Sequence, residues 1–315
     1  VVLTLSANSS FSSQVAVTAQ HREMLDQVLQ HFSIEPDYDL NLMTAGQTLA
    51  QTTGRVLERL CPILKKNRPD IVLVHGDTTT TAASALAAYY EKIPCGHVEA
   101  GLRTGDKYAP FPEEINRKIA GAIADLHFAP TYLAKRNLLK EDICGESIFV
   151  TGNTAIDALH MTVKNNYAFS DSGLNSMSLG SVGCGSNNKP STIVVEVHRR
   201  ENFGPGMENI CTAIYEIAKQ RKSSVRLIVS VHRNPNAKEP ILKHLSGLEN
   251  VTLCDPLNYP DYVNLINNSY LVISDSGGIQ EEAPALGVPV VLCRDKTERP
   301  EAIQAGTVVL VGTDR

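Results

Sequence analysis

The chain of 315 residues has no tryptophan, and aromatic side chains make up only 5% of it. Its seven cysteines are scattered, and no two of them stand in a Cys-x-x-Cys pair. An odd, dispersed set in a chain of this length argues against a disulfide framework and against zinc-ligand spacing. It predicts a reducing, cytoplasmic setting. No apolar run reaches the roughly 18 residues a membrane helix needs. No basic stretch precedes the first apolar segment, as a secretory leader would require. Basic residues number 29 and acidic residues 34, a formal charge of −5. That balance leaves no electrostatic basis for nucleic acid or an anionic membrane as the main partner.

What is present is the composition of a soluble globular protein, 43% hydrophobic and 20% charged. The length suits two domains. Short β-branched runs alternate with longer helical stretches. DIVLVHGD (Asp70–Asp77) reads as a strand, TTTTAASALAAYYEK as an Ala-rich helix and IPCGHVEAG (Ile93–Gly101) as the next strand. Further strands are expected near Leu126–Ala129 and Ser147–Asn153. Between Tyr167 and Lys189 the pattern dissolves into Ser, Gly and Asn, then restarts with TIVVEV, VRLIVSV, VTLC, YLVISD, PVVLC and TVVLVG. Such alternation predicts parallel sheets covered by helices. The expected organisation is an α/β protein with a Rossmann-like domain over 1–166, a linker over 167–190 and a second Rossmann-like domain over 191–315, the two sheets facing a cleft.

At the start, Val1–Leu5 and Gln14–Thr18 both read as strands, separated by SANSSFSS. A parallel crossover needs about a dozen residues. Eight small polar residues predict an antiparallel edge hairpin instead.

Several constellations sit at expected strand ends. In VHGDTTTT, Asp77 ends a strand where a helix opens, so Asp77 or Thr78 either caps the helix or faces a ligand. In GHVEAGLRTGD, Glu99 emerges from an apolar strand, with Arg103 as a structural ion-pair partner or a ligand contact. Glu113 and Glu114 of FPEEINR open a helix, where acids are favoured in any case. In VHRRENFG, His198 follows a strand beside Arg199 and Arg200 and suits an anion. The strongest local signal is VISDSGGIQEEAPALGVPVV. There Ser276, Gly277 and Gly278 turn a strand into a helix, Glu281 and Glu282 follow, and Arg299 trails in the next loop. Strand, double glycine, paired acids and arginine together point to a nucleotide diphosphate.

These residues resemble the non-hydrolysing UDP-N-acetylglucosamine 2-epimerases of bacteria. The segments VTAQHREMLDQVL, DYDLNLM, PDIVLVHGDTTTT, IPCGHVEAGLRTGD, FPEEINR, FVTGNTAIDAL, HRRENFG, VHRNPN, SDSGGIQEEAP and TERPEA carry the resemblance in order. It implies a glycosyltransferase-B-like fold, with UDP held mainly by the second domain, and reversible interconversion of UDP-GlcNAc and UDP-ManNAc. It implies elimination of UDP across C1–C2 to 2-acetamidoglucal and re-addition with the opposite C2 configuration. Carried over by motif, Asp77, Glu99, Glu113 and His198 are the catalytic group. Arg103, Tyr262, Ser276, Gly277, Gly278, Glu282 and Arg299 bind substrate, Tyr262 stacking near uracil. Gln20, Glu23, Arg199 and His232 correspond to a region where some members take a second UDP-GlcNAc as activator. The resemblance implies a homodimer and neither metal nor redox cofactor.

The chain departs from the family pattern in four places. Glu196-Val197 stands where a Thr-Gly or Thr-Ala pair normally precedes His-Arg-Arg-Glu. Tyr262 replaces an aromatic that is often Phe. The family's first strand is followed by a Gly-Thr-Arg-Pro-Glu loop and a helix, for which SANSSFSS leaves no room, and the family's C-terminal helix has no counterpart after GTVVLVGTDR. These departures raise the alternative of a UDP-sugar binder with reduced or no turnover, and the same fold admits a second, a UDP-sugar glycosyltransferase. The carboxylate trio Asp77, Glu99 and Glu113 speaks against the second, because a transferase does not need it.

Overall fold

The computed structural model describes residues 1–19, 22–42, 44, 46–177 and 190–314. The chain divides into two compact units, Val1–Thr154 and Ala155–Arg315. The expected boundary at 166 falls inside the second unit. Tyr167 and Phe169, placed in the linker by their polar surroundings, pack into that unit's apolar core with Leu174. The Tyr167 hydroxyl donates to Asp261 at 2.8 Å. The stretch 178–189 lies outside the described residues.

In the first unit, β1 (Ala16–Val17) pairs in parallel with β2 (Tyr38–Asp39). A second parallel sheet has the order β3 (Val72–His75), β4 (Cys95–Val98), β5 (Leu126–Ala129), β6 (Ile148–Val150). Two helices pack closely, Leu49–Asn67 and Thr79–Tyr90. Ala83, Ala85, Ala87 and Ala88 bury the second against Val56, Leu60 and Leu64, because methyl groups let the backbones approach. Thr48 and Gln51 form a reciprocal capping box on the first of these helices. Gly101 (φ +90°) passes so near the helix Tyr132–Leu139 that a Cβ there would lie 2.3 Å from the Ala134 carbonyl oxygen.

The opening is not the expected strand. Val2–Ser6 is a short helix. Its β-branched residues bury nothing, so no sheet neighbour rewards extension, and the Leu5 and Ala7 amides donate to the Val1 and Leu3 carbonyls instead. SANSSFSS therefore joins a helix to β1. The expected antiparallel edge hairpin is absent.

The second unit contains a parallel sheet in the order β12 (Val308–Leu310), β11 (Val290–Leu292), β10 (Leu271–Ser274), β7 (Ser191–Glu196), β8 (Val225–Ser230), β9 (Val251–Cys254). Ile193, Val195, Leu227 and Val229 belong to one core cluster of the sheet and Val194, Ile228, Val272 and Val290 to another, as expected for parallel strands covered on both faces. The chain winds from β7 outward to β9, returns to β10 beside β7, and winds the other way to β12. The strand order thus reverses between β7 and β10. In open parallel sheets the loops at the carboxyl ends of such a pair form the crevice where ligands bind.

Candidate functional site

In the first unit the loop after β3 is held from beneath. The Gly76 amide donates to the Val98 carbonyl at 3.0 Å. The Gly76 carbonyl accepts from His97 Nε2 at 2.7 Å. Full burial pushes the His97 imidazole down to about 4, so it is neutral near pH 7. A carbonyl can only accept, so the single ring proton sits on Nε2. The next residue, Asp77, is not the helix cap: Thr78 caps the helix by accepting from the Thr81 amide at 3.3 Å. The Asp77 carboxylate is instead ion-paired with the guanidinium of Arg117, which is 2% exposed. Arg117 was missed in the sequence. It lies on the helix Glu113–Ile123, and nothing local to it signals a partner forty residues away.

Glu99 follows β4 with φ +64°, a left-handed conformation rare outside glycine, asparagine and aspartate. A residue held there costs of order 1–3 kcal/mol and persists only where its surroundings impose it, which happens most often at functional sites. The His75 Nε2 lies 3.6 Å from Glu99 Oε2. Of the two acids opening the helix Glu113–Ile123, Glu114 is fully used. It accepts from the Thr104 and Gly105 amides, both at 3.1 Å, and faces Arg117 at 3.5 Å. Glu113 is different. Its Oε2 is buried and has no hydrogen-bond partner in the protein. A buried acceptor left unpaired costs about 1–3 kcal/mol unless something else satisfies it, which marks Glu113 as a group open to a ligand.

Arg103, expected to bind substrate or pair with Glu99, is committed elsewhere. Its Nε and Nη2 donate to both oxygens of Glu141 at 2.9 and 2.7 Å, and its Nη1 donates to the Leu102 carbonyl at 2.8 Å. Such a two-pronged pair satisfies a nearly buried guanidinium, so Arg103 braces the loop rather than offering itself to a ligand.

In the second unit the expected residues converge at the switch point. Asp275, fully buried at the end of β10, accepts from the His198 amide at 3.0 Å, the Arg199 amide at 2.9 Å and Asn202 Nδ2 at 2.9 Å. It ties the loop after β7 to the glycine turn after β10. A carboxylate at the end of an apolar strand was the available sign of this role, and the sequence reading passed over it. A Cβ on Gly277 would come within 2.9 Å of Glu298 Oε1, 3.1 Å of Arg299 Nη1 and 3.2 Å of Arg199 Nη2. Two guanidinium groups therefore stand at one bare glycine, with the Nε of Arg199 buried and unpartnered. Arg199, expected in an activator site, is part of this turn. Arg299 also pairs with the carboxylate of Glu298 and lies 3.3 Å from Glu281, and Arg294 pairs with Glu298 at 3.3 Å and Glu201 at 3.2 Å. The helix after the turn, Ile279–Ala285, is only two turns long. The charges at Gly277 are thus set by side chains, the guanidinium groups of Arg199 and Arg299 and the carboxylate of Glu298.

The His198 ring stacks on His232 with centroids 5.1 Å apart and planes 18° from parallel. Burial, then the neighbouring His198, holds the His232 imidazole below its ordinary range. Glu23 lies on the helix Arg22–His31 of the first unit, and Gln20 is outside the described residues. The two departures at Glu196 and Tyr262 prove to be one feature. The Tyr262 hydroxyl donates to Glu196 Oε2 at 2.5 Å. The phenol that replaces Phe thus takes up the carboxylate that replaces a small residue, and Glu196 is held by a neutral donor.

Glu282 sits against Gly278, its Oε1 3.6 Å from where a Cβ would be. Burial, then the charges of Glu196 and Glu281, pushes its carboxyl from 4.5 up to about 7. The consequence for stability follows by sign. Between pH 4.5 and 7 the unfolded chain ionises this group while the folded protein keeps it neutral. The folded state then binds more protons, so stability falls as pH rises through that window and levels off above it. The loss totals about 3 kcal/mol, since one unit corresponds to about 1.4 kcal/mol. Glu282→Gln removes this titration. Denaturation midpoints of the two proteins should converge near pH 5, with the variant the more stable at pH 8. Parallel pH curves would show that Glu282 is not the group responsible.

Among the described residues no helix is long and apolar enough to cross a membrane, and no group of three or more His, Cys, Asp or Glu is placed to hold a metal ion.

Comparison with known proteins agrees with this geometry. The family model described as UDP-N-acetylglucosamine 2-epimerase matches residues 3–315. A UDP-N-acetylglucosamine 2-epimerase of Salmonella typhimurium is 54% identical over 314 residues, covering all of this chain and 82% of the relative. The crystal structure of the Neisseria meningitidis UDP-GlcNAc 2-epimerase bound to UDP-GlcNAc is similar at a TM-score of 0.90 and 46% identity, over 99% of this chain and 83% of that one. The Staphylococcus aureus MnaA–UDP co-structure is similar at a TM-score of 0.90 and 45% identity, over 99% of this chain and 80% of that one.

Proposed function

The chain belongs to the UDP-N-acetylglucosamine 2-epimerase family, and from that membership we propose that it interconverts UDP-GlcNAc and UDP-ManNAc, in the cytoplasm and as a homodimer. The cytoplasmic setting rests on the odd, dispersed cysteines and the homodimer on the family resemblance. The observation that carries the chemistry is the first unit's set of three carboxylates in three different settings. Asp77 is neutralised by Arg117, Glu99 stands beside a histidine, and Glu113 has an unsatisfied buried oxygen.

The sugar's C2 hydrogen has no adjacent carbonyl to acidify it, so simple deprotonation is slow. Loss of UDP from C1 together with the C2 proton avoids a free carbanion and gives 2-acetamidoglucal. UDP then returns to C1 while a proton is delivered to the other face of C2. The reaction needs a base on one face, an acid on the other, and fixed positive charge for the departing diphosphate. Glu99 and Glu113 are the groups suited to proton transfer. Asp77, tied to a guanidinium, suits orientation of a sugar hydroxyl. In the second unit Arg199 and Arg299 at Gly277 suit the diphosphate, with His198 beside them. Glu282, neutral over part of the working pH range, suits the ribose hydroxyls as either donor or acceptor.

The test is incubation with UDP-GlcNAc in deuterated water. The expected result is UDP-ManNAc carrying deuterium at C2. Tight binding of UDP with no deuterium at C2 in either sugar nucleotide would make the protein a binder and refute epimerisation.

A further inference from the structure

The three-carboxylate reading leaves a proton imbalance. A turnover that removes the C2 proton on one face and delivers one on the other leaves the base protonated and the acid deprotonated. The next turnover in the same direction requires both to be reset through solvent. The Glu99 side chain is poorly placed to do this alone, since it is only 16% exposed and its backbone is locked in the left-handed conformation. His75, two residues before Asp77 at the end of β3, is 53% exposed and directs Nε2 at Glu99 Oε2 across 3.6 Å. That gap is a few tenths of an ångström beyond a hydrogen bond, and catalytic contacts commonly tighten when ligand binds. The backbone beneath the histidine is fixed: Thr81 Oγ1 donates to the His75 carbonyl at 2.5 Å, and the following Gly76 carbonyl is held by His97. Backbone is rigid here while the imidazole reaches water.

We propose that His75 is the proton relay of Glu99, carrying protons between that carboxyl and solvent between turnovers. When Glu99 has taken the C2 proton, its O–H bond breaks and the proton passes to Nε2 of the neutral imidazole. The ring becomes imidazolium and releases its Nδ1 proton to water, and exchange of the ring protons with solvent then returns it to the Nδ1–H tautomer with Nε2 open for the next transfer. When Glu99 must donate, the same steps run in reverse. No bond in the sugar nucleotide changes during the relay, and no co-reactant other than water is needed. The relay rests on Glu99 being one of the two proton-transfer groups. His75 is then a positioning and transfer residue that never touches the sugar.

The variant His75→Gln keeps a polar side chain beside Glu99 but cannot carry a proton through. The first turnover, measured in rapid-mix experiments with excess UDP-GlcNAc, should proceed at the wild-type rate and give one equivalent of product per site. Steady-state kcat should then fall by about tenfold or more, the low end of what a positioned acid–base group contributes, with KM unchanged. Added imidazole should restore the steady-state rate in proportion to its concentration and leave the wild type unaffected. His75→Asn should behave in the same way, and matched circular dichroism melts identify a variant that has failed to fold. Unaltered steady-state turnover in either folded variant would overturn the relay. So would equal losses in the first and later turnovers with no response to imidazole. Absence of any turnover in the wild type would overturn the epimerase reading and the relay with it, whereas a buffer-insensitive variant of an active wild type overturns the relay alone.

Discussion

Glu99→Gln will abolish deuterium incorporation at C2 while leaving UDP affinity within about twofold. Gln has the shape of the protonated acid and can keep its contacts, so the left-handed turn at φ +64° and the packing of Gly101 against Ala134 should survive. What disappears is the capacity to exchange a proton. Losses of about 10²–10⁴-fold are typical when a positioned acid or base is removed. A group that must act in every turnover, with no neighbour able to replace it, belongs at the upper end. Asp77 cannot stand in, because its carboxylate is bound to Arg117 and stays useful there only as an anion. Nucleotide affinity should be spared because the arginines at Gly277 and the carboxyl of Glu282 are in the other unit. Mass spectrometry of the recovered sugar nucleotides reads the exchange, and calorimetry reads UDP binding. Exchange at or near the wild-type rate would remove Glu99 from the mechanism. Loss of UDP binding in step with exchange would show that the residue holds the fold rather than the reaction.

How far the sequence reached can be argued from the same residues. The alternation of strand and helix, and the turn at Ser276-Gly277-Gly278, are local patterns, and local patterns are what sequence reading resolves. Val1–Leu5 reads as a strand by composition, but β-propensity is realised only against a partner, and in this structure those residues form a helix instead. Pairings across the chain were invisible. Arg103 looked free to meet Glu99 four residues away but meets Glu141 instead. Glu113 and Glu114 are adjacent in sequence and alike in type. Which one faces Arg117 and two loop amides depends on helix rotation against the rest of the unit. Glu196 and Tyr262 looked like two separate departures from the family pattern. Their hydrogen bond spans 66 residues, and it changes a charge placed near a diphosphate turn into a charge with a donor of its own.

The same logic gives the largest stability effect. Asp275→Ala removes a fully buried carboxylate whose two oxygens serve three donors, the His198 and Arg199 amides and the Asn202 amide group. Hydrogen bonds to a charged acceptor are worth about 1.5–3 kcal/mol each, and the donors left behind stay buried. Asn202 keeps one partner, the Cys293 carbonyl at 3.0 Å, but the two backbone amides have no alternative that this geometry provides. The net cost should be about 4 kcal/mol, the range in which single substitutions become diagnostic of a broken buried network. In a domain of this size each kcal/mol lowers the midpoint by roughly 2–4 °C, so the melting transition should drop by about 10 °C. Asp275→Asn should lose less, since one oxygen can still accept, although its amide now points donors at donors. The functional loss should exceed the structural one. Without Asp275 the loop carrying His198 and Arg199 is no longer anchored to the turn at Gly277. UDP affinity measured well below the lowered midpoint should then fall more than about tenfold, because one of two converging guanidinium groups has lost its position. A variant with a lowered midpoint but full UDP affinity would mean that Asp275 supports only the packing at the ends of the central strands β7 and β10, and that Arg299 without Arg199 is sufficient for the diphosphate.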